Sequence, residues 1–270
     1  MSLPSSLARL GQPGEGYAVT QDGSIREQFI IGLDDTDVEG SPGTGDIARA
    51  LAARVEAEGW GTSLGVTRHE LMRSDKIKNT GHNFCYALGI ETDRSVLDLE
   101  DDLVAYLRTE AAKGSDPGLA IMGRHADLPH VLAFGRRCQT EVMRLDWALT
   151  FSNEANVALR GLGRDRRGSV GALAAAGLRA GGADGRFIDL RGIRDLEGVL
   201  TAGQVRERTA IDLVIGDAGE QIDRDDRIET FNWIRPRLED GKSVLRCAQS
   251  PGDRRLWLPL DRKIGEDVDG

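Results

Sequence analysis

Phe29-Ile30-Ile31-Gly32-Leu33 runs directly into Asp34-Asp35-Thr36-Asp37. A short apolar run of this kind predicts a buried strand. It ends in three carboxylates within four residues. Acids so crowded repel one another unless a cation sits among them. Hard oxygen ligands suit Mg²⁺, which is commonly held by one or two carboxylates together with substrate phosphates. The competing reading of the same residues is an acidic turn that caps a helix.

The next stretch supports a strand–loop–helix order. Glu39-Gly40-Ser41-Pro42-Gly43-Thr44-Gly45 is a loop, and Asp46 to Glu58 predicts a helix in which Ile47, Leu51 and Val55 recur every four residues, stopped by Gly59. A glycine loop that opens a helix can offer backbone N–H groups to phosphate, which makes Gly43, Thr44 and Gly45 candidate contacts. No Gly-Lys-Ser/Thr follows, so this is no Walker A loop, and an ordinary connection is the alternative. Further strands are expected over Trp60–Thr67 and His82–Ile90. A helix capped by Ser95 is expected over Leu97–Ala112.

Beyond the turn cluster Lys113–Gly118, a short strand is expected at Leu119–Met122 and a helix over Pro129–Met143. A short helix capped by Ser152 should reach Leu159, and a small-residue helix should begin near Val170. Strands are expected at Phe187–Leu190, Ile211–Ile215 and Val244–Cys247, and Glu207–Gln221 also reads as strand. Ile228–Ile234 reads as a helical turn. Alternating strands and helices place the chain in the α/β or α+β class. The early order favours a split βαβ, ferredoxin-like mixed sheet with packed helices over a fully wound parallel one. The expected organisation is a flexible arm over 1–28, an N-terminal α/β domain over 29–118 carrying the acid motif, and a second α+β domain over 119–270.

Two cationic stretches complete the candidate chemistry. Arg73 to Asn83 carries Lys76 and Lys78, which could neutralise phosphate, and Asn83, which could orient a substrate; a solvated hairpin is the alternative. Arg160 to Gly168 places Arg160, Arg164, Arg166 and Arg167 among glycines before a helix that starts Gly168-Ser169-Val170-Gly171. Arginine suits bidentate phosphate contact. Close helix packing explains the same glycines equally well.

In this order the blocks GLDDTD, KIKNTGHNFCYAL, SDPGLAI and GSVGALAAAGL resemble archaeal tRNA(Ile) agmatinylcytidine synthetase across roughly residues 29 to 190. The resemblance implies kinase-like and ferredoxin-like parts that use ATP and Mg²⁺ to activate a cytidine oxygen in tRNA, which an amine then displaces. It implies that Asp34, Asp35 and Asp37 bind metal and phosphates, with Thr36 as the motif threonine. Lys76, Thr80 and Asn83 would lie near the nucleotide, and Gly168, Gly171 and Ala172 would belong to the small-residue helix. Thr44-Gly45-Asp46 stands where the family commonly has Cys-Thr-Thr, so the loop's contacts need not carry over. No cysteine pair for a zinc ribbon occurs, and the chain after residue 190 is short for an OB-fold plus a ribbon.

Composition narrows the partners. The 270 residues carry a formal charge of −9, with 40% hydrophobic and 29% charged residues, as expected for a globular chain and not for a broadly basic nucleic-acid coater. Aromatics are 5%, so base-stacking platforms should be few. Three scattered cysteines suggest a reducing cytoplasm. No signal-peptide core or membrane span is expected. The expected activity is Mg-ATP-dependent phosphoryl or nucleotidyl transfer to an oxygen of a nucleoside, RNA or small-molecule acceptor, with an amine as co-substrate. In it Asp34, Asp35 and Lys76 act at the reacting groups, and Thr36, Gly43, Thr44, Gly45, Lys78, Thr80, Asn83, Arg164, Gly168 and Gly171 hold the nucleotide. The alternative is a non-catalytic nucleotide- or anion-binding module on the same scaffold.

Overall fold

The apolar run at Phe29 becomes the centre of a sheet because its alternate residues can be buried on both faces. In the computed structural model, which describes residues 17–19, 25–74 and 82–261, it lies in strand β2 (Ile25–Asp34). Strand β1 (Tyr17–Val19) pairs with the start of β2. The chain continues through α1 (Thr44–Ala57), β3 (Thr62–Glu70), β4 (Phe84–Thr92), α2 (Val96–Glu110) and β5 (Gly118–Met122). The strand order β5-β2-β4-β3, every neighbour antiparallel, is the split βαβ arrangement.

Each face of this sheet has its own helical layer. Phe29, Ile31, Leu33, Tyr86, Leu88 and Ile90 pack with Ile47, Leu51 and Val55 of α1 and with Leu99, Leu103 and Leu107 of α2. The intervening Ile30, Cys85, Ala87, Ala120 and Met122 face the other way. They meet α3 (Leu128–Thr140), α4 (Leu145–Glu154) and α5 (Gly168–Ala180). The period of two thus sorts one strand between two cores. Each fully buried Leu or Ile contributes about 1.5–3 kcal/mol to this packing.

Strand β6 (Ala158–Gly161) flanks β5, while β7 (Arg186–Asp189) extends the sheet from β3. The remaining chain forms β8 (Val199–Thr201), α6 (Ala202–Arg208), β9 (Leu213–Gly216), β10 (Arg227–Glu229), β11 (Arg237–Glu239), β12 (Lys242–Ser250) and β13 (Asp253–Pro259). It surrounds a third core that includes Leu196, Val205, Ile228, Leu245 and Trp257. Pairing of β11 with β7 joins this part to the first, giving, among the described residues, one sheet of 13 strands and an α+β fold.

Three elements differ from the sequence reading. Ser152 does not cap a helix: it lies inside α4, and the chain from Ala158 is strand, because Leu159 pairs with Ala120 of β5. Ile228 belongs to strand β10, held between β8 and β13, and no helix forms over Ile228–Ile234. The stretch Glu207–Gln221 is helix end, loop and then only the four-residue β9. All three are short segments whose pairing partners lie far away in sequence, where local pattern carries little weight. Ser95, by contrast, does cap α2: its side chain accepts from the Asp98 N–H. Among the described residues no helix is long and apolar enough to cross a membrane. The arm expected over 1–28 falls largely outside the described residues.

Candidate active site

Antiparallel register brings the far end of β2 together with three connections. Asp34 lies opposite Gly118, so the turn before β5 meets the acids directly. The Asp116 N–H donates to Asp35 O (3.0 Å), and Ala112 N–H donates to Thr36 O (2.9 Å). Strands β3 and β4 end and begin at this same edge, with Leu33 opposite Tyr86 and Glu70 opposite Phe84. Lys76, Lys78 and Thr80 belong to the connection between those two strands and lie outside the described residues.

Asp35 adopts a left-handed backbone (φ 53°), which turns the chain sharply after β2. Thr36 and Thr44 then bind one another. Thr44 Oγ1 accepts from Thr36 N (3.1 Å) and from Thr36 Oγ1 (3.0 Å), and donates to Asp37 Oδ1 (2.7 Å). This hydroxyl chain fixes the first turn of α1 against the acid turn. Gly43 is the N-cap and supplies no side-chain cap. The positive end of the α1 dipole therefore stands beside Asp37.

Asp34 is packed against α5. A Cβ at Gly171 would fall 1.8 Å from Asp34 Oδ2, and one at Gly118 would fall 2.0 Å from the Gly168 carbonyl carbon. Glycine at these positions lets β2 and β5 touch the helix backbone. Burial holds the Asp34 carboxyl well above the usual carboxylate range, and the charges of Asp35 and Asp37 add to it, against a backbone hydrogen bond from Asp35. Burial also raises the neighbouring Cys85 thiol, with Asp34 as the next cause.

The arginine loop has an internal anion. Both oxygens of the buried Asp116 carboxylate are used: Oδ1 accepts from the Arg166 N–H and Oδ2 from the Arg167 N–H, each at 2.8 Å. Arg166 is left-handed (φ 56°), so the two amides form a nest, a shape suited to an anion. The Gly168 N–H donates to Asp116 O (3.2 Å). Gly168 and Gly171 thus act in close packing, while Arg164, Arg166 and Arg167 remain exposed. Sequence reading missed Asp116, because only a fold that returns residue 116 to residue 166 reveals its role.

Asn83 closes the hairpin base, its Nδ2 donating to Met72 O (2.7 Å). Among the described residues no group of three or more His, Cys, Asp or Glu side chains is placed to hold a metal ion. The three aspartates therefore do not converge as one ligand set; Asp37 is engaged by Thr44. Asp34, raised by burial first and by the charges of Asp35 and Asp37 second, and Asp35 are hard oxygen donors of the type that Mg²⁺ takes together with phosphate oxygens.

The sequence matches no family model and no curated protein. Among solved structures, that of apo TiaS, a tRNA agmatidine synthetase, is similar at 23% identity and a TM-score of 0.47, over 56% of this chain and 35% of that one. The structure of TiaS in complex with an isoleucine tRNA and ATP aligns at 23% identity and a TM-score of 0.49, over 56% and 36%. A structure described as a tRNA fluorescent labeling enzyme aligns at 24% and 0.48, over 56% and 36%. The similar region spans about a third of those structures' own length. Over just more than half of its length, then, the chain is similar to solved structures of the agmatidine synthetase TiaS.

Proposed function

We propose that the edge formed by Asp34, Asp35 and the first turn of α1 binds Mg-ATP, and that the protein transfers a phosphoryl or nucleotidyl group from it to an oxygen acceptor. The observation that carries this reading is the acid turn after β2, whose Asp37 is tied to the start of α1 by the Thr36–Thr44–Asp37 chain and whose Asp34 is buried against α5. Asp34 and Asp35 would hold the Mg²⁺, which when bound neutralises charge on the phosphates. Gly43, Thr44 and Gly45 position phosphate at the helix start. In the transfer, a bond forms from the acceptor oxygen to phosphorus and the phosphorus–oxygen bond to the leaving group breaks, which releases ADP when the γ-phosphoryl group moves and pyrophosphate when the nucleotidyl group moves. Such chemistry rests on positioning and charge stabilisation. The sequence resemblance supports a nucleoside or tRNA acceptor and an amine that displaces the activated oxygen. Lys76 and Lys78, on the connection that leaves the same sheet edge, shield phosphate charge in this reading, and Arg164 does so from the exposed arginine loop.

The test is calorimetric titration of wild type and Asp35→Asn with Mg-ATP. Asparagine tolerates the left-handed backbone that Asp35 adopts, so the variant changes charge and keeps the turn. Saturable binding by wild type, lost or weakened at least tenfold in the variant, is expected. Equal behaviour of the two would sink the reading. A second reading, a non-catalytic nucleotide- or anion-binding module, is favoured by one observation: Asp116 already fills the nest of the arginine loop. Detection of AMP or ADP release that depends on Asp35 would remove it.

A further inference from the structure

The strand face that carries α1 also carries an aromatic stack. Phe84 lies opposite Glu70, and Arg68 lies opposite Tyr86, which is itself opposite Leu33. By the alternation of strand side chains, Phe84, Tyr86, Arg68 and Leu33 share one face. Phe84 packs against the cluster that contains Ile47 of α1, so it belongs to the layer beneath that helix. Two groups cover its ring. The Arg68 guanidinium carbon is 4.1 Å from the ring centroid, and the His82 ring is stacked at 5.1 Å with an interplanar angle of 21°. Both groups thus lean on the Phe84 ring. His82 is exposed and ends the stack at the surface.

The geometry points to His82 as the stacking surface for the base of the bound nucleotide. The inference rests on the nucleotide reading above and places the part of the ligand that reading leaves open. A planar π-system backed by Phe84 and Arg68 is held flat at little entropic cost, and it offers a face that any nucleobase can meet. Larger purines gain more from it than pyrimidines. Phe84 lies two residues before Tyr86, which pairs with Leu33, so the stack stands at the end of the sheet where β2 runs into the acid turn; the inference is that phosphates at that turn and a base on His82 belong to one ligand.

Three probes separate the two claims: ATP, CTP and inorganic tripolyphosphate, each with Mg²⁺, titrated into the full chain and into His82→Ala and His82→Trp. Wild type is expected to bind ATP more tightly than CTP, and both more tightly than tripolyphosphate. His82→Ala should weaken ATP roughly 5- to 100-fold and leave tripolyphosphate unchanged. His82→Trp should retain or exceed wild-type ATP affinity. If His82→Ala leaves the ratio of ATP to tripolyphosphate affinity unchanged, the stacking assignment is overturned while the phosphate site stands. If wild type binds none of the three, the nucleotide reading falls and takes this inference with it.

Discussion

Single residues at this edge are constrained by contact, and the constraint is measurable. Gly171 has no room for a methyl group, because Asp34 Oδ2 lies where its Cβ would be. Gly171→Ala is therefore expected to lower stability by about 1–3 kcal/mol, read as a shift in the urea midpoint, with Mg-ATP affinity falling as Asp34 is displaced. A second residue sets the acid limit of the fold. His69 is buried, with Nδ1 2.6 Å from Asp184 Oδ1 and Nε2 2.8 Å from Thr67 Oγ1. Burial holds its pKa below the usual 6.5, against the pull of Asp184 and with help from the buried Arg179. The unfolded chain then takes up the His69 proton more readily than the folded one. Stability from this group is complete above pH 6.5 and is lost as the pH falls below it. Burial pushes Asp184 up, but its bonds and charge contacts with His69, Gln139 and Arg186 leave it below 3.8, so its own contribution fails only at lower pH. The thermal midpoint of wild type should drop between pH 7 and pH 5, and His69→Gln should flatten that drop. An equal slope in both proteins would show that His69 is not the source.

At the level of elements, the 161–168 connection is ordered from a distance. Asp116 supplies two acceptors to the loop's backbone, so Asp116→Ala should cost roughly 2 kcal/mol or more and speed proteolysis between Leu162 and Arg167. Asp116→Asn, which keeps one acceptor, should cost less. Nothing near Arg166 in the chain announces this, and the arginines read as a phosphate loop because their charge is visible while the carboxylate that fills the nest is 50 residues away. Where partners are local, the sequence was legible. The spacing of Ile47, Leu51 and Val55 set α1, Ser95 marked the start of α2, and the run Phe29–Leu33 marked the central strand. The acid turn was legible for the same reason, since repulsion among Asp34, Asp35 and Asp37 follows from adjacency alone. The division of labour among them was not. Asp37 is drawn to Thr44 by a loop closure that spacing does not encode. Short strands such as β6 and β10 exist because a neighbour offers an edge, and that information lies outside them.

Across the whole molecule, the three cores share one continuous sheet. The link is narrow: β7 pairs with β3 on one side and with β11 on the other, and Asp261 accepts hydrogen bonds from both Arg186 and Arg237. Trp60 and Trp147 report on the first part, Trp233 and Trp257 on the second. If the shared sheet couples them, single-tryptophan variants retaining Trp60 or Trp257 should unfold in urea with coincident midpoints. Midpoints separated by more than about 0.5 M, a gap of order 1 kcal/mol, would mean that the two parts melt independently. The seam where Gly32 meets the Ala172 carbonyl of α5, and Gly118 meets Gly168, carries a different consequence. Where main chain rests on main chain, the depth of the acid turn is set by how far apart a helix and two strands stand. Natural or engineered variation cannot retune that depth one side chain at a time. New specificity has to enter through the connections that rim the edge, while the floor beneath the acids stays as it was cast.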